Sequence, residues 1–193
     1  MSTEIQQKRV GLFGGAFDPP HLGHQRVATE LAGTILDEVW FIPVYTHPWA
    51  ARYGKEMLTP YSDRVAMLES ILGENQVIQH YQDVSFTYPT LRFFEKTYPD
   101  INFSWIMGSE YISRFGDFLG GHPGLKDYTF YVYPRKGYPL ENLYPFMVGL
   151  STMDEIDVSS TQVKEAVKTG APLEGLVTPF VKKYIETTGF YSR

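Results

Sequence analysis

Residues 9–24 read RVGLFGGAFDPPHLGH, and the fold turns on how this stretch is parsed. RVGLF (9–13) is an apolar run with the length of a buried strand, and Gly14 and Gly15 end it. Pro19 and Pro20 hold an extended approach to a helix starting near His21, because proline is tolerated in a first helical turn. Val27, Leu31 and Ile35 recur at four-residue spacing, with Ala28 and Ala32 beside them, so the helix is expected to continue to about Leu36. Strand, glycine turn and helix in this order open a parallel α/β sheet.

The same alternation continues along the chain. EVWFIPV (38–44), QVIQH (76–80), INFSWIM (101–107), DYTFYVY (127–133) and FMVGL (146–150) read as strands. Helices are expected over 60–72, with Val65, Leu68 and Leu72 on one face, and before Pro99, where Leu91, Phe94 and Tyr98 form a stripe. Two more are expected at 160–169 and 178–188, and residues 44–60 and 114–127 read as long loops. This is an α/β class: a doubly wound, mostly parallel sheet with helices on both faces and a C-terminal helical extension. A length of 193 residues suits a single domain over 1–193. Such sheets bind ligands beyond the carboxyl ends of their strands. The places to search are therefore Gly14–His24, Pro43–Lys55, Gly108–Phe118 and Pro134–Gly137.

Composition removes several classes of function. Without cysteine there is neither a disulfide nor a thiolate metal site. No run approaches the roughly 18 apolar residues of a membrane span, and MSTEIQQKRV lacks a signal peptide's apolar stretch, so a cytoplasmic protein without a membrane partner is expected. A net charge of −5 argues against broad nucleic-acid binding. It leaves room for a phosphate held locally by backbone N–H groups and a few placed cations.

GGAFDPPHLGH has the parts of such a phosphate site. Glycines at 14 and 15 let backbone approach a ligand. His21 and His24, three apart, share one side of a helix N-terminus, where orphan N–H groups and the dipole already favour an anion. The competing reading is a glycine turn followed by two surface histidines. Near the other end, DVSSTQVKEAV (157–167) offers Ser159 and Ser160 as helix caps with Lys164 one turn further on, and by itself it reads as an ordinary capped amphipathic helix.

Taken together, GxFDPxHxGH and the 157–167 segment resemble the two signatures of the nucleotidyltransferase superfamily, the second being ISSTxIR, with lysine at 164 where arginine is usual. IPVYTHPW (42–49), SDRVAML (62–68), VSFTYPTL (84–91), IMGSEYISRFGDF (106–118), YPRKGYP (133–139) and YIETTGFY (184–191) are similar, in order, to further motifs of the bacterial nicotinate-nucleotide adenylyltransferases. The chain departs from them at Ala50, where lysine is usual and Lys55 is a substitute, and at Phe86, Pro89, Glu110 and Phe118. The resemblance implies a Rossmann-like fold and transfer of AMP from ATP to nicotinic acid mononucleotide, forming deamido-NAD and pyrophosphate. It implies that Gly14, Gly15, Phe17, His21, His24, Ser160, Thr161 and Lys164 bind ATP, the two histidines being catalytic. Ala16, Ser85, Phe86, Thr87, Gly108, Glu110, Phe118 and Arg135 would bind the pyridine mononucleotide, with Phe118 stacking on the ring and Glu110 on the ribose.

The attacking group would be a phosphate already ionised near neutrality. Positioning and charge neutralisation then suffice, without a protein nucleophile. Mg²⁺ would arrive on the ATP phosphates, with no protein metal ligand. Phe86 and Phe118 read equally as core or lid packing, and Glu110 as a helix cap. Nicotinamide mononucleotide or both mononucleotides as substrate, phosphopantetheine adenylyl transfer, a class I aminoacyl-tRNA synthetase fragment and a nucleotide sensor without turnover are the rival readings. A homo-oligomer is compatible with all of them. Thr where this chain has His21 would mark the phosphopantetheine enzymes, and the synthetase reading lacks a KMSKS-like segment.

Overall fold

The computed structural model describes residues 7–45, 59–81 and 86–192. Ala50, Lys55 and Ser85 lie outside the described residues. Six strands, β1 (Lys8–Gly15), β2 (Glu38–Pro43), β3 (Gln76–Ile78), β4 (Ile101–Gly108), β5 (Thr129–Tyr133) and β6 (Met147–Gly149), form one sheet in the order β3-β2-β1-β4-β5-β6. Every one of these pairings is parallel. The chain winds outward from β1 to β3, then returns to place β4 on the other side of β1. That reversal leaves a crevice beyond the carboxyl ends of β1 and β4, at Gly15 and Gly108.

Among the described residues six helices cover the sheet: α1 (Leu22–Leu31), α2 (Tyr61–Glu69), α3 (Thr87–Thr97), α4 (Phe115–Gly121), α5 (Ser160–Thr169) and α6 (Pro179–Thr188). The two-residue period of β1 divides its side chains between two cores. Val10 and Leu12 join Leu91 and Phe94 of α3 and Phe115 of α4 on one face. Phe13 joins Val27 of α1, Met67 of α2, Val163 of α5 and Val181 of α6 on the other. No helix among the described residues is long and apolar enough to cross a membrane.

Local chemistry corrects three of the sequence readings. Helix α1 stops at Leu31 because Gly33 takes a left-handed backbone (φ +73°) and the Thr34 hydroxyl donates to the Glu30 carbonyl. Ile35 is therefore exposed, and Leu36 enters the core instead, against Gly11. On α2 the buried face is Arg64, Met67 and Leu68, with Val65 only half-buried. Residues 114–127 are not a loop, since α4 and a 3₁₀ turn at Pro123–Asp127 bury Phe115 and Leu125.

Candidate active site

Aromatic rings, as well as any ligand, require the glycines that end β1. A Cβ on Gly14 would lie 2.5 Å from the benzo edge of Trp105 on β4, and one on Gly15 would lie 3.1 Å from the Phe17 ring. Phe17 holds a left-handed backbone (φ +47°), and its buried ring packs edge-on against Phe13, His24 and Phe41. An unfavourable φ in a bulky residue persists only where its surroundings over-determine it. Here the ring contacts do so, and they keep the side chain buried. The peptide that follows, Asp18–Pro19, is cis.

His21 is the N-cap of α1 and His24 its third residue, and the two imidazoles stack with centroids 3.7 Å apart. The His21 N–H donates to His24 Nδ1 at 3.2 Å, which leaves Nε2 of a neutral His24 as a donor. His21 Nδ1 is buried without a hydrogen-bond partner among the described residues. Burial, and then the nearby Arg135 guanidinium, push the His21 pKa down to about 3. Burial, His21 and Arg135 hold His24 well below the usual imidazole range. Both rings are neutral near pH 7, so toward an anion they could act as N–H donors but not as cations.

The second motif meets the first here. Ser159 caps α5 through a reciprocal pair with Gln162, so Ser160 is the first helical residue rather than a cap. The Ser160 hydroxyl donates to the Pro19 carbonyl at 2.8 Å, and Lys164 Nζ lies 2.8 Å from Asp18 Oδ2. Gly23 admits Ile156 and Val158 against α1, as a Cβ there would lie 2.6 Å from Ile156. Helices α1 and α5 thus begin side by side, two positive dipole ends next to the histidine pair. Thr161 is exposed in the first turn of α5.

On the opposite side of the crevice, β4 ends at Gly108, where a side chain would collide with the Glu110 carboxylate folded back upon it. Glu110 Oε1 is 3.7 Å from Arg135 Nε, while Oε2 is buried with no partner among the described residues. Burial raises the Glu110 pKa above the usual carboxylate range, although its own backbone N–H and Arg135 oppose the rise. It sits in the first turn of a 3₁₀ helix whose N-cap is Gly108, and that helix has no side-chain cap, contrary to the capping reading. Arg135 donates to the Val158 carbonyl at 2.6 Å, which links the end of β5 to the segment before α5. Phe86 is the N-cap of α3 and offers no side-chain cap, and Thr87 is the first residue of that helix. Phe86 and Phe118 are both exposed, so neither is a core residue. Ala16 is half-buried, and its carbonyl accepts from Arg64.

Three of the residues that hold the site together were not singled out from the sequence. The Arg64 guanidinium, fully buried, donates to the carbonyls of Thr59 (2.8 Å), Ala16 (2.6 Å), Val44 (2.7 Å) and Tyr45 (3.3 Å). It fastens the glycine turn to the end of β2. Asp18, 3% exposed, binds Lys164 and also Tyr191, whose hydroxyl donates to Oδ1 at 2.6 Å. The signal for Arg64 was its place in the SDRVAML segment. Nothing local pairs Asp18 with Tyr191. Among the described residues no group of three or more His, Asp or Glu is placed to hold a metal ion.

Comparison with known proteins places this arrangement. The cytidylyltransferase-like family model matches residues 12–166. A probable nicotinate-nucleotide adenylyltransferase of Shouchella clausii (strain KSM-K16) is 34% identical, over 95% of this chain and 97% of the relative. The nicotinate-nucleotide adenylyltransferase of Bacillus subtilis (strain 168) is 32% identical, over 95% and 98%. A similar fold is seen in the Plasmodium falciparum nicotinic acid mononucleotide adenylyltransferase complexed with NaAD, at TM-score 0.78 and 17% identity over 95% of this chain and 97% of that one. The same Plasmodium enzyme complexed with APC gives a TM-score of 0.74 at 16% identity, over 95% and 97%. The chain belongs to the cytidylyltransferase-like family and, within it, to the nicotinate-nucleotide adenylyltransferases.

Proposed function

We propose that this protein transfers the adenylyl group of ATP to the 5′-phosphate of nicotinic acid mononucleotide, forming deamido-NAD and pyrophosphate in NAD biosynthesis. The observation that carries this reading is the meeting of two helix N-termini, the stacked His21–His24 pair and Lys164 at the sheet's switch point. The triphosphate lies against the N–H groups that begin α1 and α5, with His24 Nε2 and Lys164 as side-chain donors. His21 and His24 stabilise the charge that develops as the α-phosphorus is attacked in line. The nucleophile is the mononucleotide phosphate itself, so no side chain needs to take a proton. The ion carried by ATP is Mg²⁺, which binds phosphate oxygens and water and neutralises their charge.

The mononucleotide lies across the ends of β1 and β4, with Glu110 at its ribose and Phe118 against its ring. Helix α3 supports the acid form as substrate. Its N-cap is Phe86, which supplies no side-chain cap, and the N–H groups of Thr87 and Tyr88 have no intrahelical partner. Such donors suit a carboxylate, which only accepts, whereas an amide brings an NH₂ that needs an acceptor. A hydrogen bond to a charged group contributes about 1.5–3 kcal/mol against about 1 kcal/mol for a neutral one. One or two such differences give a roughly ten- to hundredfold preference.

The test is a panel of nicotinic acid mononucleotide, nicotinamide mononucleotide and phosphopantetheine, each at equal Mg·ATP, with kcat/KM measured for each. The acid should lead the amide by about that ratio, with no turnover of phosphopantetheine. Equal values or an amide preference would overturn the pocket assignment, and nucleotide binding without pyrophosphate release would mark a sensor instead.

A further inference from the structure

The last residues of the chain reach back into the first nucleotide motif. Beyond Gly189, which ends α6, Tyr191 takes a left-handed backbone (φ +66°). That is costly for a tyrosine, and here its side-chain contacts hold it. Its hydroxyl donates to Asp18 Oδ1 at 2.6 Å and accepts from Thr59 Oγ1 at 2.9 Å. Its ring centroid lies 5.1 Å from Lys164 Nζ, close enough for a cation–π contact. Lys164 donates in turn to Asp18 Oδ2. Both oxygens of one buried carboxylate are thus engaged, by residues 146 and 173 positions away in the chain.

Lysine at 164 makes the direction of this cation depend on its neighbours. An arginine fork can grip a carboxylate through two parallel bonds and needs no other guide. A lysine ammonium is a point charge on a flexible four-carbon stem, so one contact to Asp18 leaves its direction loose. The Tyr191 ring supplies a second contact to the ammonium, and its hydroxyl fixes the carboxylate to which the ammonium is tied. The Lys164 side chain keeps 24% of its surface exposed, so it is not sealed away from a ligand.

We infer that Tyr191 is a positioning residue for adenylyl transfer, holding Lys164 through Asp18 where it receives the triphosphate. The inference rests on the proposed reading of Lys164 as a phosphate contact. Tyr191→Phe keeps the ring and loses only the hydroxyl. It should lower kcat/KM for ATP by about tenfold, the scale of one lost hydrogen bond to a charged group, while KM for the mononucleotide stays close to the parent and the melting temperature falls by roughly 2–8 °C, because Asp18 Oδ1 loses its donor. In a Lys164→Met background the same change should do nothing further, because its route to the phosphates is gone. Lys164→Arg should rescue most of the Tyr191→Phe loss. If Tyr191→Phe melts early, Thr59→Val, which loosens the same hydroxyl, takes its place and is read the same way.

An unchanged kcat/KM for ATP in Tyr191→Phe, or an equal fold loss with and without Lys164, would overturn the inference. If Lys164→Met is impaired while Tyr191→Phe is silent, this inference fails and the phosphate role of Lys164 stands. Normal kinetics in Lys164→Met would overturn both.

Discussion

Replacing Arg64 by methionine should destabilise the protein by about 3 kcal/mol, and the structure supplies the reasoning. The side chain is fully buried and forms three short bonds, to the carbonyls of Thr59, Ala16 and Val44, with a longer one to Tyr45. Methionine fills the volume of the stem and leaves those oxygens without their donor. Each buried acceptor left unsatisfied costs about 1–3 kcal/mol. Part of that is offset because the mutant no longer buries a guanidinium that, among the described residues, is met by carbonyls and the Tyr61 ring and not by a carboxylate. A net loss of about 3 kcal/mol is a large part of the roughly 5–15 kcal/mol that holds a domain together. At this chain length it corresponds to a fall of roughly 6–12 °C in Tm. Urea and thermal melts measure it directly. Because Arg64 also anchors the Ala16 carbonyl in the glycine turn, kcat/KM for ATP measured well below Tm should fall too. Arg64→Lys, with fewer donors in a different geometry, should fall between the two. A methionine variant within about 1 kcal/mol of the parent would refute the claim that these carbonyls depend on Arg64.

Three further outcomes follow from the geometry. His21 titrates near 3 in the folded protein and near 6.5 in the unfolded chain, which therefore takes up the proton first. Its contribution to stability is whole above pH 6.5 and declines as pH falls toward 3, by about 2 kcal/mol between pH 7 and pH 5. His21→Gln should flatten that acid slope in denaturant melts, and an unchanged slope would contradict the assignment. His24→Ala should lower kcat far more than it raises KM for the mononucleotide, and near-normal turnover of the folded variant would remove His24 from the chemistry. Gly14→Ala should cost about 1–3 kcal/mol by pressing Cβ onto the Trp105 ring. Trp105→Phe should recover much of that loss in the double variant, and equal stability of Gly14→Ala and the parent would rule out the collision.

The sequence was legible where local rules govern. A short apolar run, paired glycines and a helix gave β1, its turn and α1, and the repeated alternation gave a parallel sheet with helices on both faces. The capped start of α5 was readable because Ser159 and Gln162 form a reciprocal pair within four residues. Failures came where tertiary contacts decide. The four-residue spacing that pointed to Ile35 was overridden by Gly33, which turns the chain and sends Leu36 inward. Arg64 was hidden because its charge is met by carbonyls from three separate segments. The glycines at 14 and 15 were read as making room for a ligand, and they also make room for Trp105 and Phe17. No local pattern could pair Asp18 with Tyr191. That contact exists because α6 packs against α2 on the face of the sheet that also carries α1.

Attack at the α-phosphorus of ATP by the mononucleotide phosphate fixes where a label at that phosphorus must go. With ATP labelled at the α-phosphate, Mg²⁺ and nicotinic acid mononucleotide, the label should appear in deamido-NAD, with one pyrophosphate released for each dinucleotide formed. Label recovered in ADP or in free AMP, with none in a dinucleotide, would contradict the account.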